Sequence, residues 1–60
     1  MTDTKLDIFV AGVPNGWIGY VRIPGGRILR YTMVHQSREM ARQDAEMIKK
    51  ILEEHPTWWD

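Results

Sequence analysis

The chain has 60 residues, no cysteine, and eight basic against eight acidic side chains, so its formal net charge is zero. A single domain is the most that such a length holds, and a domain this small buries only about 60% of the surface its unfolded chain exposes. Disulfides and thiolate metal sites are excluded, and the neutral balance supplies no general pull toward nucleic acid or an anionic membrane.

Residues 6–13, LDIFVAGV, are apolar and rich in β-branched types, and they read as a first strand. Residues 17–23, WIGYVRI, read as a second, and residues 27–34, RILRYTMV, as a third. Between them stand Pro14-Asn15-Gly16 and Pro24-Gly25-Gly26. In each, proline presets the first turn position and the closing glycine suits the left-handed bulge of a three-residue hairpin loop. A two-residue Asn15-Gly16 turn competes for the first loop, but it leaves Pro14 at a strand position that wants an N–H. A phosphate-cradling loop is the other reading of this glycine-rich stretch. Such a loop needs lysine and a serine or threonine after glycine, whereas Gly19 is followed by Tyr20 and Val21. The glycines therefore mark turns.

Ser37 is placed to cap a helix, and Glu39 falls in its first turn, where an acid suits the helix dipole. Pro56 bars continuation beyond about His55. At 100° per residue, Met40, Ala41, Ala45, Met47, Ile48, Ile51 and Leu52 cover an arc of about 160°. The opposite side carries Arg42, Glu46, Lys49, Lys50, Glu53 and Glu54 and reads as a solvated face, with Glu46–Lys50 a favourable i,i+4 pair. Asp44 falls inside the apolar arc and is expected at its edge, bonded to a sheet arginine. The fold class is α+β: a three-stranded antiparallel β-meander followed by one C-terminal α-helix packed on one face, β-β-β-α, with residues 1–60 as one small domain.

Three-residue loops would pair Val13 with Trp17 and Ile23 with Arg27. Side chains alternate along a strand. One face then gathers Phe9, Ala11, Val13, Trp17, Gly19, Val21, Ile23, Leu29, Tyr31 and Met33, and should lie under the helix. Gly19 beside Ala11 would let the helix backbone come close. The other face gathers Leu6, Ile8, Val10, Ile18, Tyr20, Arg22, Ile28, Arg30, Thr32 and Val34. One helix covers one side of a sheet, so this second face is expected to be bare in a monomer, and it is too apolar for ordinary surface. Tyrosine and arginine are favoured at interface centres. A one-residue change in either turn exchanges the faces of a strand, although both faces stay largely apolar.

Catalytic groups are sparse. Ser37 is the only serine, and capping directs its hydroxyl to backbone N–H groups rather than to His35 or Glu39. His35 and His55 have no metal-ligand spacing between them, and His55 suits a helix C-terminus. The chain is not expected to be an enzyme, nor to hold a cofactor, a metal or a small-molecule substrate. The tail, His55 to Asp60, contains Trp58 and Trp59. Two readings stay open for it: the indoles fold back and seal the open end of the core, or they form a contact patch.

Charge is unevenly placed. Five arginines and one acid occupy residues 15–43, while five acids and two lysines occupy residues 44–60. The meander followed by Ser37-Arg38-Glu39-Met40-Ala41-Arg42-Gln43-Asp44-Ala45 resembles the second half of a double-stranded-RNA-binding domain over about residues 8 to 52. There Arg38 and Arg42 match basic positions and Ala41 and Ala45 match small ones. Glu39 stands where another basic residue is expected, and that family's first helix is absent. Trp17, Gly19, Gly26 and Arg27 look similar to the β-β-β-α DNA-binding domains of the AP2 and integrase amino-terminal kind. That resemblance implies that Arg22 and Arg30 contact DNA. Antitoxins of the HicB kind share the same layout.

The sequence therefore raises two expectations. The first is a small protein-binding module, a phage- or plasmid-type inhibitor or antitoxin, that docks a protein partner or a second copy as a homodimer. Its contact residues would be Ile8, Val10, Ile18, Tyr20, Arg22, Ile28, Arg30, Thr32, Trp58 and Trp59. The second is nucleic-acid binding through Arg22, Arg30, Arg38 and Arg42. No apolar run reaches the roughly 20 residues of a membrane helix. No signal-peptide pattern stands at the start. A cytoplasmic location, in a bacterial or viral setting, is the default.

Overall fold

The computed structural model describes residues 5–59. Three strands, β1 (Asp7–Val13), β2 (Gly16–Arg22) and β3 (Ile28–Tyr31), precede one helix, α1 (Arg38–Glu54), and a single 3₁₀ turn at Pro56–Trp58. The sheet is antiparallel and open, in the order β1-β2-β3. This is the expected β-β-β-α arrangement. Asp60, the last residue of the tail, lies outside the described residues.

The central strand presents the expected residues to the helix, whereas β1 is turned over along its length and β3 only beyond Leu29. In the first hairpin Val13 pairs with Gly16, not with Trp17, so the loop is the two residues Pro14-Asn15. Proline takes the first turn position, where no ladder N–H is needed. Gly16 opens β2 at φ 149°, and a Cβ there would collide with the His35 carbonyl oxygen. Because the loop is one residue shorter, Ile8 now faces across to Val21 and Val10 to Gly19, while Phe9 faces Tyr20 and Ala11 faces Ile18. A slip of one residue moves every side chain of β1 to the other side of the sheet. Gly19 thus neighbours Val10 rather than Ala11.

The second hairpin pairs Ile23 with Arg27 as expected, but its left-handed glycine is Gly25 and not the closing Gly26. Ile23 N–H donates to Arg27 O at 3.0 Å and Gly26 N–H to Ile23 O at 2.7 Å, with Gly25 at φ 70°. Directly after it a bulge intervenes. Arg22 pairs with Ile28, but Val21 pairs with Arg30 and Tyr20 with Tyr31. The extra residue, Leu29, packs against the core, and the strand beyond it changes face. Thr32 therefore lies under the helix beside Gly19, 8% exposed, and Tyr31 does not.

Ser37 caps α1 as expected, its Oγ accepting from Met40 N–H at 3.1 Å. The helix rests on β1 and β2 and scarcely reaches β3. It comes closest at Gly19, whose missing side chain leaves room for Ala41 and Ala45. Beyond that point Leu6, Val21 and Leu52 form the buried core, flanked by Ile8, Ile23, Leu29, Ile48 and Trp59. Glu53 is not merely solvated, because its carboxylate accepts the Leu6 N–H at 2.9 Å and holds the start of β1 to the end of α1. Asp44 is bonded to His35 at 2.8 Å, not to a sheet arginine. That bond joins the chain leaving β3 to the helix.

The sheet covers only half of the apolar arc of α1. Ala41, Ala45 and Leu52 are buried, whereas Met40, Met47 and Ile51 are 52%, 64% and 44% exposed.

Candidate protein-docking face

The face of the sheet away from α1 is built from alternate residues of all three strands. The register brings together Phe9, Ala11 and Val13 from β1, Ile18, Tyr20 and Arg22 from β2, and Ile28 and Tyr31 from β3. One aromatic side chain from each strand forms a row. Phe9 stacks on Tyr20 with centroids 5.4 Å apart at 22°, and Tyr20 meets Tyr31 at 5.8 Å and 49°. Offset and tilted rings at such separations attract beyond their area alone. The guanidinium of Arg22 lies 4.6 Å above the Phe9 ring. This cation–π contact holds the arginine flat on the sheet.

Arg22 also carries an unmet hydrogen-bonding demand. Its Nε is buried and has no partner among the described residues. Asp7 is its cross-strand neighbour, yet no ion pair joins the two. A buried donor without an acceptor costs free energy.

Of the residues expected on the bare face, Ile18, Tyr20, Arg22 and Ile28 are there. Ile8, Val10, Arg30 and Thr32 belong instead to the helix side, for the two reasons of register given above. Phe9, Ala11, Val13 and Tyr31 take their place. Tyr31 and Phe9 could be found in the sequence only by knowing the loop length and the bulge.

The two tail tryptophans divide between the two readings. Trp59 folds back: its indole N–H donates to Leu52 O at 2.8 Å, and its own carbonyl accepts from Arg27 Nη2 at 3.0 Å. It adds a second donor to an end carbonyl of α1 that already accepts the His55 N–H, and it packs on the core. Trp58 stays 64% exposed and stacks on His55 at 4.1 Å and 6°.

The four arginines of the nucleic-acid reading do not converge. Arg22 lies on the bare face. Arg30 lies at the rim of a groove between β3 and α1, with Asp44, Ile48, Ile51, Leu52 and Trp58. Arg38 and Arg42 border the β1 edge beside Ile8 and Val10. The His35–Asp44 pair has no free hydroxyl beside it in sequence, since Ser37 Oγ is occupied by the helix cap. Among the described residues, no helix is long and apolar enough to cross a membrane, and no group of three or more acidic, histidine or cysteine side chains is placed to hold a metal. No protein-family model, no curated protein and no solved structure matches the chain.

Proposed function

We propose that the chain is a non-catalytic binding module that docks a protein partner on the bare face of its sheet and acts by occlusion, as a small inhibitor or antitoxin does. The observation that supports this most directly is the aromatic row Phe9–Tyr20–Tyr31, flanked by Ile18 and Ile28 with Arg22 laid over it. Buried aromatic and arginine anchors surrounded by aliphatics are the pattern of interface hot spots. A contiguous apolar face on a chain this small has few other uses. The neutral charge fits a partner recognised by shape and apolar area rather than by long-range attraction.

The test separates this reading from nucleic-acid binding. Ile18→Asp with Ile28→Asp should weaken capture of the protein partner at least 100-fold, because a charge would enter the desolvated centre of the contact. Arg22→Ala with Arg30→Ala should weaken it less. Binding to single- or double-stranded nucleic acid that falls steeply with salt, and that the arginine pair abolishes while the isoleucine pair does not, would replace this proposal with the other.

A further inference from the structure

The apolar side chains left outside are unevenly placed. Nine large ones are exposed among the described residues, and Ile28, Tyr31, Met33 and Val34 all lie on β3 and its extension. Ile51 and Trp58 stand on the opposite wall of the α1–β3 groove, a space of about 340 Å³. The other edge of the sheet is different. β1 carries Asp7 and is flanked by Arg38 and Arg42, the kind of charge by which natural sheets keep an edge from pairing. From Ile28 to Val34 the only charge is Arg30.

Free backbone groups lie on the same edge. Thr32 N–H donates inward to Gly19 O at 2.8 Å, and His35 and Trp17 exchange two backbone bonds at 2.7 and 2.8 Å. Groups along a strand point alternately to its two sides, so Tyr31, next to Thr32, turns its N–H and C=O away from β2. An unpaired edge of this kind is a template for another strand.

We propose that this edge docks a second copy of the chain, β3 pairing antiparallel with β3 about a two-fold axis at Tyr31. Two-fold symmetry requires a self-complementary patch, and this one is. Tyr31 meets Tyr31, and Arg30 meets Thr32 of the second copy. No like charges oppose each other. Arg30 has no ion pair within its own chain among the described residues, and the residue opposite it in the second copy, Thr32, is uncharged. A register centred one residue earlier would set Arg30 against Arg30, which repulsion disfavours. Pairing at Tyr31 also continues the row Phe9–Tyr20–Tyr31 across both sheets, with ring spacings of 5.4 and 5.8 Å on each side of the axis. The inference goes beyond the proposed function, because it uses the edge of the sheet rather than its bare face.

The test begins with the mass of the full chain by light scattering over a concentration series. Two copies of 7.1 kDa are expected. The chain has no cysteine, so Tyr31→Cys introduces one thiol per copy. With dissolved oxygen as the oxidant, it should oxidise on the axis to a covalent dimer, because directly opposed strand residues lie within disulfide reach, at a Cα separation of about 5.5 Å. Asn15→Cys, at the far hairpin tip, should not. Tyr31→Lys sets like charges on the axis and should give a monomer whose far-ultraviolet circular dichroism is unchanged. A strict monomer at millimolar concentration overturns the proposal. So does Tyr31→Cys cross-linking no faster than Asn15→Cys, or an Ile18→Cys chain cross-linking in its place, which would mean that the bare faces meet. Capture of a foreign strand by a monomeric chain overturns it equally. A dimer that captures no other protein leaves this inference standing and removes the proposed function, while a monomer that loses its partner on Ile18→Asp does the reverse.

Discussion

Gly19 is where the two layers touch. A Cβ at this residue would lie 2.6 Å from Ala41 O and 2.8 Å from Ala45 Cβ. Both neighbours are helix backbone or rigid methyl, so α1 itself must move to admit it. Gly19→Ala is therefore expected to cost about 1–3 kcal/mol, the usual range for overpacking, read as a lower urea midpoint at unchanged slope. Gly25→Ala tests the opposite situation. Nothing lies within 4 Å of its Cβ position, and only the φ of 70° resists a side chain, so about 1 kcal/mol of backbone strain is expected. The two tail indoles make a similar contrast. Trp59→Ala removes core contact and the indole bond to Leu52 O, which keeps the His55 N–H, and should lower stability by about 2–3 kcal/mol. Trp58→Ala should leave stability within about 0.5 kcal/mol of the parent. Equal losses from both in thermal melts would contradict the division of roles between them.

At the scale of elements, the first hairpin carries the most consequence per residue. Its two-residue loop decides which side of β1 faces the helix. Lengthening a flexible loop by one residue costs only a few tenths of a kcal/mol in closure entropy. Inserting a glycine after Asn15 should nevertheless abolish cooperative unfolding, because it would re-register β1. Either the strand turns over and withdraws Leu6 and Ile8 from the core, or the ladder to β2 breaks. A melt that stays cooperative, within 5 °C of the parent, would show that the register is not held by this turn. The strands, the capped helix and its end at Pro56 were readable in advance, since each rests on residues close in the chain. The orientation of β1 and of β3 was not. Both depend on a single residue, the length of a loop in one case and the Leu29 bulge in the other, and periodicity is unchanged by a shift of either.

For the molecule as a whole, the balance of inside and outside is unusual. Among the described residues, Leu6, Val21, Ala41, Ala45 and Leu52 are the buried apolar ones, against nine large exposed ones. A core this small gives marginal stability alone. If a second copy covers the β3 edge, stability is linked to association by mass action. The melting temperature should then rise with protein concentration in the parent and be independent of it in Tyr31→Lys. A parent melt unchanged over a hundredfold range of concentration would remove that linkage.

The order β-β-β-α, the position of the cap and the presence of two apolar sides to the sheet follow from the chain alone, because turn chemistry, helix start signals and apolar content act over a few neighbouring residues. Which side is bare, which tryptophan is sealed and what Asp44 grips emerged only when distant segments met. Those outcomes turn on contacts between residues far apart in sequence, such as Gly19 with Ala41 and His35 with Asp44, and no local pattern encodes a distance across the fold.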